Sequence, residues 1–539
     1  MNIASLVRKL PAPVKSVLVG LVNAIPPLRR LVSKVTINRY ANACRPRPRA
    51  LSMADDYTTW RGLTDRRYSG RHLPAAEGAN APKHPEIEPL LALFKRERFK
   101  PATDTSLLFP YFAQWFVDSF LRTKWEEGTD RRFRENESNH EIDLCQIYGV
   151  GESQAAMLRE KVGGRLLTQE VGGESWPPFL FEEADGKLDL AARYRPGPGS
   201  GGEPGTPGLY TTANFQRVYD GKPPWTREQK ASAFAAGLEH GSSTIGNSTM
   251  NTLFLREHNR IAGILKHAHP DWDDERLFQT ARNVNTVVLL RVVISDYIVH
   301  IAPVDIKLEL IPGMAEKQRW YRNNWMAVEF ALLYRWHDLI PDTFSVAGKS
   351  HKGSEMARAN ELLMEAGLDR VLLDASRQHA GRIGLGNTAD FLLSVKKLSI
   401  EMARACRLAP YNDYRTYYGL KPIATFEELT KDRELASRLR DLYGSMDELE
   451  WFVGLFAEGY VESEMMGELL TNMVANDAFT QALTNPLLSE SVYNERTFGA
   501  EGLEIAEETR TLAQVIARNT GISDPALVGF TVRQAPGES

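Results

Sequence analysis

Two residues in the middle of the chain, Tyr334 and His337, carry side chains that can take part in redox chemistry. A neutral histidine can ligate a metal such as a haem iron, and a nearby tyrosine can lose an electron to an oxidised cofactor. The stretch Trp325–Thr343, WMAVEFALLYRWHDLIPDT, is predicted to be one buried helix. Pro341 closes the pattern, because a proline cannot continue the helical ladder. In that helix the two side chains would share a face, about one turn apart.

The same two residues also have a structural explanation. A tyrosine and a histidine on a buried helix most often satisfy local hydrogen bonds, and only a minority of perturbed buried groups belong to functional sites. The spacing alone therefore leaves both interpretations open, and the choice depends on the rest of the chain.

Composition places the protein among ordinary globular proteins. Of 539 residues, 43% are hydrophobic and 25% are charged, which is enough for a large core. The three cysteines are too few and too scattered for a disulfide framework: Cys44, Cys145 and Cys406. The sequence contains neither a Cys/His cluster with zinc spacing nor a glycine-rich phosphate motif, and we expect no nucleic-acid partner.

The first 50 residues form a basic arm on an acidic body. They contain ten lysines or arginines and no carboxylate, whereas the remainder has 55 basic and 69 acidic residues, a formal charge of −14. Apolar residues recur at helical spacing from Val14 to Ile25, and Pro26 and Pro27 end the run. This helix is too short to span a bilayer, which needs about 20 residues.

We therefore predict that residues 1–50 are a basic amphipathic arm that binds anionic lipids at a membrane surface. The chain would be a peripheral, monotopic membrane protein on the cytoplasmic side, without an evident signal peptide or transmembrane helix. A packed N-terminal helix and a targeting peptide are the alternatives.

Several stretches match one known group of enzymes in order along the chain. They are DLCQIYG (Asp143–Gly149), LREHNR (residues 255–260), YRWHDLIPDTF (residues 334–344), RQHAGRIGLGN (Arg377–Asn387) and APYNDYRTYYGLKP (Ala409–Pro422). The chain resembles the cyclooxygenases, or prostaglandin-endoperoxide synthases, of the animal-type haem peroxidase superfamily over roughly residues 55–520. Many motifs in order are more specific than any single one.

The resemblance implies a mainly α fold, with an animal haem peroxidase, cyclooxygenase-like catalytic domain over residues 51–539. The arm at residues 1–50 corresponds to short amphipathic membrane-binding helices. The haem would lie between an apolar helix at Leu107–Thr123 and the helix at Trp325–Pro341. The growth-factor-like module of the animal enzymes, which needs disulfides, is missing, and Cys44 alone cannot supply them.

The resemblance also assigns roles to individual residues. His337 would be the proximal ligand of a haem b iron and Tyr334 the tyrosine that carries a radical. Gln114 matches the distal glutamine, and Tyr297 matches the tyrosine that hydrogen-bonds the radical tyrosine. The predicted substrate-binding residues are Phe330, Leu333, Ile298, Tyr297, Thr480 and Arg39. Of these, Thr480 falls on the serine that aspirin acetylates, and Arg39 is the nearest match to the carboxylate-binding arginine.

Two positions depart from the pattern. Asp118 falls where the family has its distal histidine, and a carboxylate is normally a weaker base by more than about two pKa units. On that ground we expect slow cleavage of peroxides. Val304 falls where the family has a tyrosine that helps to hold the fatty-acid carboxylate, so the identity of the substrate stays open.

The function implied is that of a haem-dependent fatty-acid dioxygenase. A peroxide would oxidise the haem, the haem would take an electron from Tyr334, and the tyrosyl radical would remove a hydrogen atom from an unsaturated fatty acid. Oxygen would then add, giving a hydroperoxide or a prostaglandin-like endoperoxide. A haem peroxidase acting on small donors and a haem-binding protein with lost catalysis are the alternatives, and a homodimer stays open.

Overall fold

The computed structural model describes residues 11–43, 57–124, 135–196, 208–221, 223–302, 306–461 and 464–534. The chain is 53% helix and 10% strand, which confirms the predicted mainly α fold.

The helices of the first half are α1 (Ala12–Ala24), α2 (Pro26–Ala41), α3 (Trp60–Thr64), α4 (Ile87–Phe94), α5 (Leu108–Asp118), α6 (Cys145–Tyr148), α7 (Glu152–Leu158), α8 (Thr212–Tyr219), α9 (Arg227–Ala231), α10 (Ile245–Ala268), α11 (Asp274–Val292) and α12 (Ile298–Ile301). Those of the second half are α13 (Val328–Leu333), α14 (Asn360–Ala366), α15 (Leu368–Arg377), α16 (Leu393–Ala405), α17 (Tyr411–Tyr417), α18 (Phe426–Leu429), α19 (Arg433–Tyr443), α20 (Trp451–Ala457), α21 (Glu468–Leu483), α22 (Glu495–Phe498), α23 (Ala500–Glu508) and α24 (Leu512–Asn519).

The described strands form four antiparallel pairs at the edges of the helical body. They are β1 (Pro101–Ser106) with β8 (His379–Gly381), β2 (Gln169–Val171) with β3 (Glu174–Trp176), β4 (Phe181–Ala184) with β5 (Lys187–Leu190), and β6 (Thr343–Val346) with β7 (Lys349–Lys352).

Three long helices build the centre of the core. Helix α10 packs against both α5 and α11, and Thr244 caps its start by accepting a hydrogen bond from the Asn247 N–H. The apolar stretch at the end of α11 passes into a π-helical turn at Val293–Tyr297 before it continues as α12. Such π turns are rare inside α-helices and often occur at functional sites, because the extra residue turns a side chain out of register. Tyr297 lies in this turn.

The prediction of one helix over Trp325–Thr343 was wrong. Helix α13 ends at Leu333, and a short 3-10 turn follows at His337–Leu339. Between them Trp336 has φ −85 and ψ 46, outside the helical range. The cause is a tertiary contact, in which Lys396 Nζ donates to the Arg335 carbonyl at 2.9 Å. The Leu339 N–H, which would bond that carbonyl in a helix, donates to the Trp336 carbonyl instead.

A buried ion pair holds the segment after this break. Lys396 Nζ lies 3.1 Å from Asp338 Oδ2, and both side chains are fully buried. The Thr388 hydroxyl donates to the other oxygen of the same carboxylate. On the far side of the turn, Arg96 Nη2 donates to the Ile340 carbonyl at 2.8 Å. The backbone on both sides of His337 is therefore fixed by charged side chains from distant parts of the sequence.

Helices α1 and α2 lie against the body. Helix α2 packs on α21, and its buried face consists of Ser33, Ile37 and Ala41. Arg29 Nε lies 2.6 Å from Glu309 Oε1, which ties the arm to the body electrostatically. The helix predicted from the apolar spacing of residues 14–25 is confirmed, and its large apolar side chains are exposed: Val14, Val17, Leu18, Leu21 and Ile25.

By length and composition, one helical run in the described ranges could cross a membrane. It is Asp274–Ile301, which includes α11 and α12, and 78% of its most apolar window is buried inside the fold. In this structure the run packs against α10 as part of the core.

The ion pair that holds the turn can be tested by removing its cation. Lys396→Met leaves the buried Asp338 carboxylate without its counter-charge, which should lower the free energy of unfolding by about 3–5 kcal/mol. Chemical denaturation followed by tryptophan fluorescence measures the change. The neighbouring Lys397→Met is the matched control, because Lys397 is 44% exposed and lies 3.6 Å from its acidic partner. It should change stability by less than about 0.5 kcal/mol. Equal losses in both variants would contradict the role of the buried pair.

Candidate active site

His337 opens the 3-10 turn, and its side chain is half-buried. Its Nδ1 has no hydrogen-bond partner among the described residues, although the Arg335 carbonyl is close enough to favour the protonated form slightly. Burial, followed by the charges of Lys396 and Arg335, lowers the pKa of His337 to about 3. The imidazole is therefore neutral at physiological pH, and the neutral form is the one that ligates iron.

Tyr334 follows the last residue of α13 and is 8% exposed. Burial raises the pKa of its phenol far above the usual value, and the Tyr297 hydroxyl opposes this shift only in part. The two hydroxyls lie close enough to influence one another, although neither has a hydrogen-bond partner within the described residues. Because the phenol stays protonated, Tyr334 must lose its proton together with an electron when it is oxidised.

Aromatic side chains enclose the two tyrosines. The Phe330 ring lies edge-on to Tyr334 at 5.1 Å between centroids, and Trp336 lies 4.6 Å from Tyr334. Phe109 stacks on Tyr297 at 5.1 Å, and Phe112 lies 5.4 Å away. These contacts hold the rings in place and leave few polar groups that could quench an oxidised tyrosine.

The predicted substrate-binding residues divide into two groups. Five are buried: Phe330, Leu333, Ile298, Tyr297 and Thr480. Thr480 lies on α21, which packs against α13, and its hydroxyl donates to the Asn476 carbonyl at 2.8 Å. The structure does not bring Arg39 to this group, because its side chain is exposed on the last turn of α2. Val304 lies outside the described residues.

A cavity of about 890 Å³ lies on the other side of Phe109. Its wall includes His300, whose ring is 5.1 Å from Phe109, together with Lys15, Arg382 and Arg533. None of the predicted substrate-binding residues lines this cavity. It is therefore separate from the buried cluster around Tyr334.

Helix α5 leaves one of its faces uncovered by the described residues. Gln114, Val117 and Asp118 share this face and are exposed or half-buried, whereas most of their neighbours on the helix are fully buried. Thr244 Oγ1 donates to Gln114 Oε1 at 3.3 Å, and Asn247 Nδ2 donates to Asp118 Oδ2 at 3.0 Å. The start of α10 thus orients both polar side chains that the sequence assigned to the distal side.

A third ionisable side chain, which the sequence analysis missed, joins this group. His240 Nε2 lies 3.4 Å from Asp118 Oδ2, and both side chains are 24% exposed. A signal was available: Glu239 and His240 are the two ionisable residues in the 25-residue stretch between Lys230 and Arg256. Ionisable residues in a segment made up mainly of small and apolar residues usually have a structural or catalytic role.

These residues fit a haem. His337 offers a neutral imidazole and is only partly covered by protein, and the face of α5 that carries Asp118 is uncovered as well. The Arg335 guanidinium, two residues before His337, is close enough to Asp118 for their charges to interact, so the two faces are neighbours. A histidine ligand on one face and polar proton-transfer groups on the other define the class: a haem-dependent oxidoreductase.

Comparison with known proteins agrees with this class. A family model described as animal haem peroxidase matches residues 101–528. Prostaglandin G/H synthase 1 of Mus musculus is 31% identical over 524 residues, which cover 95% of this chain and 80% of the relative. Among solved structures, the Oryza sativa fatty acid alpha-dioxygenase matches with a TM-score of 0.66 at 18% identity, covering 98% of this chain and 95% of that one. Peroxidase A of Dictyostelium discoideum matches with a TM-score of 0.64 at 16% identity, covering 90% and 96%.

The chain belongs to the animal haem peroxidase family, and the resemblance inferred from its motifs is confirmed. It is a haem-dependent oxidoreductase, and its cofactor is haem iron.

The assignment of the proximal ligand is tested by His337→Ala. This variant should lose the Soret band of the purified protein, because alanine offers no iron ligand. Absorption spectroscopy with a pyridine haemochrome assay measures bound haem. His269→Ala, in a histidine that is 28% exposed and pairs with Glu501, is the control and should retain full haem content. An unchanged Soret band in His337→Ala would refute the assignment.

Proposed function

We propose that the protein is a haem-dependent fatty-acid dioxygenase that works through a radical at Tyr334. The observation that carries this proposal is the position of Tyr334: buried, protonated, facing the Tyr297 hydroxyl and three residues before His337. A haem peroxidase for small donors needs no such tyrosine. The relatives support the same conclusion, since they are named as a prostaglandin synthase and a fatty acid alpha-dioxygenase.

The haem, when bound and activated by a peroxide, supplies the oxidant for Tyr334. Tyr334 gives up one electron and one proton to that oxidant, since no base contacts its hydroxyl among the described residues. The tyrosyl oxygen then takes a hydrogen atom from a fatty-acid carbon, and oxygen adds to the carbon radical. The resulting peroxyl radical takes a hydrogen atom back from Tyr334, which restores the tyrosyl radical. The net reaction, RH + O₂ → ROOH, consumes no external reductant.

An unsaturated fatty acid suits this site for two reasons. A carbon beside a double bond gives up a hydrogen atom more readily than a saturated one, and a tyrosyl radical is a mild oxidant. The side chains around Tyr334 are aromatic and aliphatic, as expected where a hydrocarbon chain binds. Oxygen uptake with linoleate or arachidonate, compared with oxidation of guaiacol by peroxide, separates the dioxygenase from a peroxidase for small donors. A haem-binding protein with lost catalysis would show neither activity.

The role of Tyr334 is tested by Tyr334→Phe. Phenylalanine keeps the ring packing but cannot form a phenoxyl radical, so haem content should stay at the wild-type value while fatty-acid oxygen uptake falls to background. An oxygen electrode with a trace of added hydroperoxide measures the rate. Tyr219→Phe is the matched control: Tyr219 is also fully buried, its hydroxyl also has no partner, and it lies in another aromatic cluster. Undiminished uptake in Tyr334→Phe would favour the peroxidase alternative.

We also propose that the N-terminal arm binds a membrane surface. Helix α1 exposes its apolar side chains although α2 is docked on the body. Arg29 and Arg30 are engaged with Glu309, whereas Lys34 and Arg39 are exposed beside the apolar face. An apolar face with flanking cations is typical of helices that lie in the interface of an anionic membrane.

Substituting exposed residues tests this better than deleting the arm, because deletion would also uncover α21. Leu18→Ser/Leu21→Ser should reduce cosedimentation with phosphatidylserine vesicles by at least about tenfold, since each buried methylene contributes about 0.8 kcal/mol. Binding by the wild type should weaken in salt. Val162→Ser/Val461→Ser, at two exposed valines elsewhere, is the control and should leave binding unchanged. Equal binding by all three proteins would rule out the arm as the anchor.

A further inference from the structure

The ring of His240 is held between two carboxylates. Its Nε2 lies 3.4 Å from Asp118 Oδ2, and its Nδ1 lies 3.6 Å from Glu239 Oε1. Both distances are those of ion pairs and are longer than a good N–H···O hydrogen bond, so each N–H keeps the capacity to donate to a third atom. Both contacts of Asp118, from His240 and from Asn247, are made to Oδ2. Its Oδ1 has no hydrogen-bond partner among the described residues.

The two carboxylates beside the ring differ in what else they bind. Arg122 Nη2 donates to both oxygens of Glu239, at 2.7 and 2.8 Å, and Arg217 Nη2 donates to Oε1 at 3.1 Å. Glu239 is therefore committed to two arginines, and Glu137 lies beside the same pair of cations. Asp118 has only the Asn247 amide, the His240 ring and the more distant charge of Arg335.

These charges set the protonation of the ring. Although burial opposes it, the Asp118 and Glu239 carboxylates raise the pKa of His240 to about 9. The histidine is thus cationic at neutral pH. The attraction between protonated His240 and the two carboxylates also stabilises the fold. This contribution is complete below about pH 6.5, the pKa of an unfolded histidine, and is lost as the pH rises through about 9.

We propose that Asp118 and His240 together form the distal acid–base pair of the haem site, Asp118 accepting the proton of a hydroperoxide and His240 donating one to the oxygen that leaves. The proposal deepens the proposed function and rests on the haem site that it includes. It concerns the step that cleaves a peroxide, before any fatty acid reacts.

The step balances as follows. A hydroperoxide ROOH gives its proton to Asp118 Oδ1, and cationic His240 gives a proton to the RO oxygen as the O–O bond breaks, so that ROH leaves. The haem, when bound, would supply the two electrons that this cleavage needs. Rotation of the Asp118 carboxyl group then brings the proton to the 3.4 Å contact with His240 Nε2, and its transfer restores both groups. A single distal histidine performs both transfers in turn, whereas here two side chains share them.

Carbon monoxide bound to the ferrous protein is a probe that does not depend on activity. A cationic His240 near the distal ligand should lower the C–O stretching frequency, and infrared spectra should show this shift disappearing with a midpoint near pH 9. His240→Gln should abolish the pH dependence, and Asp118→Asn should move the midpoint to a lower pH, because it removes the larger of the two carboxylate contributions while Glu239 remains. His269→Gln is the control, because that histidine also pairs with a carboxylate but lies at another surface. A frequency that does not change with pH in the wild type overturns the proposal.

Stopped-flow measurement of peroxide cleavage tests the catalytic part. At pH 7 each of His240→Gln and Asp118→Asn should slow cleavage by about 10²–10⁴-fold, the usual contribution of an acid–base group. The double variant should be no slower than the slower single variant, because the pair acts as a unit. The wild-type rate should fall as the pH rises through about 9, where His240 loses its proton.

The outcomes are distinguishable from one another and from failure of the proposed function. Cleavage by His240→Gln within threefold of the wild type, or loss in Asp118→Asn alone, overturns the shared mechanism. If His240→Gln does not bind haem, the Asp118→Asn variant tests the shared mechanism through its infrared midpoint and its rate of peroxide cleavage. None of these measurements uses a fatty acid. Normal peroxide cleavage without fatty-acid oxygen uptake would sink the dioxygenase proposal and leave the pair standing.

Discussion

The buried contact of Lys396 with Asp338 and the Arg335 carbonyl determines the geometry of the proximal side. A lone ammonium in an apolar interior is costly, and here its surroundings include the Phe456 ring at 3.8 Å. Two oxygen atoms accept hydrogen bonds from this ammonium: the Arg335 carbonyl, before His337, and the Asp338 carboxylate, after it. The helix must end before Arg335 for its carbonyl to reach Lys396. The ion pair therefore explains why Tyr334 and His337 occupy a turn instead of one helical face. Burial, followed by the charges of Lys396 and Arg335, keeps His337 neutral.

The position of Tyr297 beside Tyr334 depends on a second backbone irregularity. Tyr297 lies in the π turn between α11 and α12, where the added residue rotates the side chain away from its place in a regular helix. Stacking with Phe109 fixes the ring, and the hydroxyl faces that of Tyr334. Burial makes ionisation of either phenol costly, so a neutral radical with a nearby hydroxyl is the oxidised state that this environment favours. The two irregularities bring together residues that are 37 positions apart.

The sequence predicted the family and the helical class, and it singled out Tyr334 and His337 as candidates, because those depend on motifs contained in single segments. It did not predict the break in the Trp325–Thr343 helix, since the cause, Lys396, lies 58 residues beyond Asp338 and looks like an ordinary surface lysine in its own helix. It assigned Asp118 as a lone distal base for a similar reason. His240 belongs to another segment, and only the packing of α5 against the start of α10 places the two side chains in contact.

The distribution of charge explains how a carboxylate can serve on a face where imidazole is the better base. Although burial opposes it, the nearby histidine and arginine lower the pKa of Glu239 far below its usual value, so Glu239 cannot take a proton and acts as a fixed counter-charge. That fixed charge continues to favour the protonated form of His240 while Asp118, the larger of the two contributions to its raised pKa, changes its own state. Asp118, with one oxygen that accepts no hydrogen bond from the described residues, is the carboxylate of this face that can exchange a proton with a ligand. Because one group accepts a proton and another donates one, the site needs a strong network of cations and carboxylates around the donor. Arg122 and Arg217, paired with Glu239, provide this network.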